Sequence, residues 1–178
     1  MKIALGGKAG SGKSTVAKAI AQEFKLKHYS TGDLMRSLAQ KAGLKIEQFV
    51  KDRPKEADSQ VDERTKKIGR EEDNFIFDSR LAFHFLPGSI KVFLDVKTKT
   101  AAQRIMKDQR ESETEHISIE DTIKKIEKRW NDSREKYIDF YKVDMQDKSN
   151  YDLYLDTTNL TLEEVIKKVK EFILQSLS

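Results

Sequence analysis

Residues 7–14 read Gly7-Lys8-Ala9-Gly10-Ser11-Gly12-Lys13-Ser14 and follow the apolar run Ile3-Ala4-Leu5 directly. The spacing G-x-x-x-x-G-K-[ST] is that of a loop whose backbone N–H groups cradle phosphates. No other stretch constrains the fold as much, because the loop needs a strand before it and a helix after it. Glycines at 7, 10 and 12 leave the backbone free to curve around an anion. The next helix, expected over residues 13–24, aims its positive end at the same anion. Lys13 can reach the β- and γ-phosphates as a mobile point charge. The Ser14 hydroxyl can ligate Mg²⁺, and Thr15 can donate to a phosphate oxygen. The plainer reading is a flexible glycine-rich turn. Against it stand the preceding strand-like run and the Val16, Ile20, Phe24 stripe of an amphipathic helix. The motif therefore implies binding of a nucleoside triphosphate.

With 178 residues the chain is long enough for one domain with a sizeable core. It contains no cysteine, which excludes disulfides, a thiol nucleophile and Cys-ligated zinc. No segment approaches the length of a membrane span, and the short apolar N-terminal run leads straight into the loop rather than forming a signal peptide. A cytoplasmic location is expected, with neither membrane nor nucleic acid as partner. The net charge is +4. The lysines are spread among glutamates, which fits a solvated surface better than a nucleic-acid stripe.

Strand-like and helix-like patterns alternate without repeats or linkers, which indicates an α/β domain with a parallel sheet. The strands are expected at 2–5, 27–30, 74–77, 90–95 and 151–156. The last helix opens on a capping box, Thr161-Leu-Glu-Glu164, and carries the stripe Leu162, Val165, Ile166, Val169, Phe172, Ile173. A weaker cap at Ser118 opens a helix through Ile119, Ile123, Ile126 and Trp130. Residues 33–73 form a long helical excursion between the second and third strands. Residues 107–118 are polar within a helical region. In a phosphate-transfer enzyme an acceptor-binding insertion and a closing lid occupy such places.

Ligands of open parallel sheets gather at the carboxyl ends of strands. The second strand ends in Ser30-Thr31-Gly32-Asp33-Leu34-Met35-Arg36, where Thr31 and Gly32 can start a helix and Arg36 can meet a second phosphate. The third strand delivers Asp78, then Ser79 and Arg80. Asp78 can hold Mg²⁺ opposite Ser14, with a helix cap as the alternative, and Arg80 then lies beside the acceptor phosphate. Arg104, Arg110, Arg129 and Arg134 follow as a set. Their guanidinium forks suit an anionic transition state.

Together these motifs resemble the nucleoside monophosphate kinases, and more narrowly the short cytidylate kinases of the archaeal type. The resemblance covers almost the whole chain. It includes Gly43-Leu44-Lys45-Ile46-Glu47-Gln48-Phe49, the pattern from Asp52 to Glu63, Ser79-Arg80-Leu81-Ala82, Val92-Phe93-Leu94-Asp95, Lys136-Tyr137, Tyr141 to Asp144, Ser149 to Leu153 and Asp156-Thr157-Thr158. It implies a three-layer P-loop sandwich over residues 1–178, with a five-stranded parallel sheet, a monophosphate-binding insertion and a short lid. It also implies transfer from ATP, with Mg²⁺, to CMP or dCMP by a monomer. On that resemblance Gly7, Lys8, Ala9, Gly10, Ser11, Gly12, Lys13, Ser14 and Thr15 bind ATP, and Arg104 stacks over adenine. Thr31, Gly32, Arg36, Arg80 and Arg134 serve the acceptor. Arg110 is the lid arginine, Arg129 a transition-state arginine, and the segment near Asp156-Thr157 passes along the adenine. Two departures touch the acceptor side. Cytidylate kinases of this type usually carry Glu-Gly-Arg and Ser-Ala-Gly-Glu where this chain has Asp78-Ser79-Arg80 and Ser30-Thr31-Gly32-Asp33. Adenylate kinases carry Asp-Gly-x-Pro-Arg. An AMP or other small-acceptor kinase, and a P-loop NTPase switch that binds RNA or a ribosomal partner, stay open as alternatives.

Overall fold

Apolar strands of a parallel sheet need cover on both faces. The computed structural model, which describes residues 1–45, 48–49, 55–110 and 118–177, meets that need with helices on each side. Strand β1 (Lys2–Gly7) lies between β3 (Phe75–Asp78) and β4 (Ile90–Asp95). Strand β2 (Lys27–Ser30) extends the sheet beyond β3, and β5 (Leu153–Asp156) beyond β4. The order is β2-β3-β1-β4-β5, and every pairing is parallel.

Successive side chains point to opposite faces. Ile3, Leu5, Ile76, Val92 and Leu94 face one layer, made by α1 (Lys13–Glu23) and, from the chain's end, the helix Leu162–Ser176. Val16, Ile20, Val165, Val169 and Ile173 complete that core. Ala4, Phe75, Phe77 and Phe93 face the other layer, where Ile68, Leu86, Trp130 and Met145 cover them. On that side α2 (Thr31–Lys41) packs on α3 (Lys55–Glu71) through Met35, Ala39, Phe49, Ala57 and Val61. A short α4 (Ala82–Phe85), then α5 (Thr98–Arg110) and α6 (Ile119–Tyr141), complete the chain before the last helix, α7.

The boundaries depart from expectation for local reasons. β1 continues to Gly7 because that residue still pairs with Leu94, whose carbonyl also accepts from the Lys8 N–H at 3.1 Å. β5 starts at Leu153 instead of residue 151, because Lys148–Asn150 form a single 3₁₀ turn capped by Asp147. The helical excursion begins at Thr31, not residue 33, since the Ser30 hydroxyl caps it by accepting from the Asp33 N–H at 3.0 Å. Residues 107–110 complete the last turn of α5 and do not belong to a loop. The rest of the expected lid up to residue 117, the side chain of Arg110, and residues 46–47 and 50–54 lie outside the described residues.

Candidate functional site

Strand register assembles the site. Leu5 and Ser30 both lie level with Asp78, and Gly7 lies level with Leu94. The phosphate loop, the start of α2 and the end of β3 therefore share one edge of the sheet. Beside it lies a switch point, for the connection from β1 runs toward β2 while that from its neighbour β4 runs the other way, toward β5.

The loop is held tightly. Gly10 has φ +75°, and a Cβ there would stand 2.7 Å from the Ala101 Cα on α5. Gly12, at φ +84°, precedes α1 without offering a side-chain cap. Three other helices differ, for the side chains of Ser30, Ser118 and Thr161 cap α2, α6 and α7. The first-turn N–H groups of α1 are thus left for an anion, which is the arrangement that phosphate binding requires. The Ser11 hydroxyl is buried within the loop and has no hydrogen-bond partner among the described residues.

Asp78 is 3% exposed at the end of β3. Lys13 Nζ forms an ion pair with its Oδ1, and Ser14 Oγ donates to its Oδ2 at 2.6 Å. Asp78 is a strand residue and not a helix cap. Burial pushes the Lys13 ammonium down to about 8, and the Arg80 and Arg129 charges push it the same way. Burial also lowers Arg80, the Arg129 charge lowers it further, and the contact with Tyr137 raises it. Arg80 Nη1 donates to Ser133 Oγ at 3.3 Å. Arg80 and Arg129 thus act on Lys13, and Arg129 on Arg80, as like charges, while Asp78 is paired to Lys13. Mutually repelling cations in a half-buried place favour an anionic ligand.

Arg104 joins the nucleotide loop to the far side of the sheet. It donates to the Gly10 carbonyl at 3.3 Å, to Thr157 at 3.2 and 2.7 Å, and to the Leu160 carbonyl at 3.2 Å. Lys8 pairs with Asp95 at 2.8 Å and lies 5.4 Å from the Trp130 ring centroid. Thr15 is exposed in the first turn of α1, and Ala9 is a half-buried turn residue within the loop.

Two expected acceptor arginines are engaged elsewhere. Arg36 is paired with Asp33 on its own helix, over Gly32. Arg134 grips Asp144 with Nε at 3.0 and 3.1 Å and Nη2 at 2.5 Å, an arrangement that holds its own helix to the following loop. The structure therefore does not bring Arg134 into the cluster around Lys13. Asp95, Ser133 and Tyr137 were not singled out by sequence as site residues. For Asp95 the signal was present, an apolar run ending in a carboxylate as at Asp78. Tyr137 stands in the Lys136-Tyr137 pair of the resemblance without a role attached, and Ser133 has no such signal, since its contact exists only where α6 crosses Arg80.

Fold and loop together define a P-loop α/β kinase-type domain. An AAA domain family matches residues 6–124. A solved shikimate kinase from Bacteroides thetaiotaomicron superposes with TM-score 0.65 over 97% of this chain and 98% of its own, at 15% identity, which speaks for the fold alone. The cytidylate kinase of Pyrococcus horikoshii is 33% identical over 96% of this chain and 87% of its own length. An S-adenosylmethionine-dependent nucleotide dehydratase from Lacinutrix mariniflava is 36% identical over 96% of this chain, which spans only 35% of that longer protein. The chain belongs to the cytidylate kinase family.

Proposed function

We propose that this chain transfers the γ-phosphoryl group of ATP to CMP or dCMP, giving ADP and the pyrimidine nucleoside diphosphate. The observation that carries the reading is the convergence of Lys13, Ser14, Asp78 and Arg80 on one edge of the sheet. An acceptor phosphate oxygen attacks the γ-phosphorus as the bond to the β-phosphate oxygen breaks. The protein supplies position and charge and forms no covalent intermediate. The uncapped start of α1 and Lys13 hold the donor phosphates. Arg80, steadied by Ser133, holds the acceptor phosphate, and Arg129 supplies charge between the two.

One hydroxyl and one carboxylate, 2.6 Å apart, form a donor set suited to Mg²⁺, which keeps several waters and takes few protein ligands. Ser14 and Asp78 would hold it, and when bound it neutralises charge on the β- and γ-phosphates. The chain acts as a monomer in this reading, without nucleic acid or membrane. The RNA-switch alternative gains no support. Many surface lysines pair with nearby carboxylates, as in Lys27–Glu72, Lys66–Glu63, Lys128–Asp132 and Lys167–Glu171, instead of forming a stripe. Among the described residues no helix is long and apolar enough to cross a membrane.

The test is ADP formation across CMP, dCMP, UMP, AMP and GMP. CMP and dCMP are expected to drive it. An AMP preference would move the chain to the alternative acceptor, and ADP release indifferent to acceptors would end the proposal. A pH dependence follows from Lys13. Its cationic form binds phosphate, so kcat/KM for ATP falls as pH rises through about 8. Bound phosphates favour the charged form, so the fall in kcat lies at higher pH. A pH–rate profile flat to pH 10 would contradict this.

A further inference from the structure

Two contacts tie the acceptor-side helix α3 to α6. Lys136 forms an ion pair with Asp58, and the Tyr141 hydroxyl donates to Asp62. The Tyr141–Asp62 contact is backed by aromatic packing of Tyr141 on His84, Phe85 and Tyr137. The Lys136–Asp58 pair is different. It lies on the part of α6 that steadies Arg80, for Lys136 stands between Ser133 and Tyr137, both partners of that arginine. One helical turn, about 5 Å, separates Ser133 from Lys136. Asp58 reaches the pair from α3, which packs on α2, and α2 begins beside Asp78 at Ser30. The pair thus lies at the stretch of α6 that carries Arg80's partners, and both groups are partly open to solvent, 27% for Asp58 and 34% for Lys136.

We propose that the Asp58–Lys136 pair reads the base of the acceptor, selecting bases that carry an exocyclic amino group beside a ring-nitrogen acceptor. This rests on the kinase reading above. A carboxylate accepts several hydrogen bonds and an ammonium donates three, so the two groups can keep their mutual contact while engaging a ligand. Side by side they present an acceptor next to a donor. Cytosine offers the complement: the N4 amino group donates to Asp58, and N3 or O2 accepts from Lys136. Uracil offers a carbonyl at position 4 and an N–H at position 3, which sets oxygen against carboxylate and hydrogen against ammonium. A site built to satisfy one such pattern strongly rejects its inverse.

The experiment is steady-state kinetics of the full chain with CMP and UMP, for wild type, Asp58→Asn and Lys136→Gln. Each variant amide can donate or accept, so each tolerates either pyrimidine. The ratio of kcat/KM for CMP over UMP is expected to fall by about tenfold or more in both, mainly through a higher KM for CMP, with KM for ATP within about twofold of wild type. Two variants guard against one that fails to fold. Parallel loss on CMP and UMP would reduce the pair to a structural clamp and overturn the proposal, as would an unchanged ratio at full activity. A wild-type chain that makes no CDP overturns the kinase reading itself. A wild type that makes CDP, with variants of unchanged ratio, overturns base reading alone.

Discussion

Lys13→Ala is expected to lower kcat/KM for phosphoryl transfer by about a thousandfold, the scale set by removing a charge aimed at a developing anion. The same substitution should lower stability. Lys13 is the ion-pair partner of a carboxylate that is 3% exposed, and its loss leaves Asp78 with the Ser14 hydroxyl as its recorded side-chain partner among the described residues. Unpairing a buried charge costs about 3 kcal/mol. From sequence alone Lys13 serves phosphate and not the core. In the fold it serves both, so activity must be read on protein shown to be native by circular dichroism and a denaturant titration. Lys13→Ala with near-normal turnover would remove Lys13 from the reaction. Unchanged stability would show that Asp78 does not depend on it.

Arg80→Ala is expected to raise KM for the monophosphate by about a hundredfold while moving KM for ATP far less. The asymmetry follows from position. Arg80 lies two residues past Asp78 and is held by α6 through Ser133 and Tyr137, with no hydrogen bond recorded to the glycine loop among the described residues. Arg129→Ala offers the contrast, since its charge touches both Lys13 and Arg80, and its loss should lower kcat more than either KM. Initial rates over a grid of both substrates separate these outcomes. Equal rises in both KM values for Arg80→Ala would take that arginine off the acceptor side.

Local chemistry made much of this legible in the chain. Gly10 and Gly12 hold the positive φ angles that their places in the motif require, and Thr161 to Glu164 form the capping box that their spacing announces. Phe75, Ile76 and Phe77 form a strand buried on both faces, as an unbroken apolar run should. Asp78 was legible as the charged end of that strand, and its partner Ser14 followed from the loop. What escaped was pairing between distant segments. Nothing in the residues around Arg134 says that Asp144 will grip it, because that contact depends on how the chain turns back after α6. For the same reason the chain marks Arg104 as a nucleotide-side arginine by resemblance but does not announce that its guanidinium meets Gly10 and Thr157 once α5 lies against the loop. The Asp58–Lys136 pair is likewise a product of packing, joining residues 78 positions apart.

The central claim is that two nucleotides lie end to end between the Gly7–Ser14 loop and Arg80, so that the γ-phosphoryl group passes directly from one to the other. The most direct measurement is the phosphorus balance of the reaction, followed by ³¹P NMR with ATP, Mg²⁺ and CMP. The account predicts that CDP and ADP appear in equal amounts, with no inorganic phosphate above the rate seen without acceptor. ADP accompanied by inorganic phosphate, with CMP left unchanged, would contradict it.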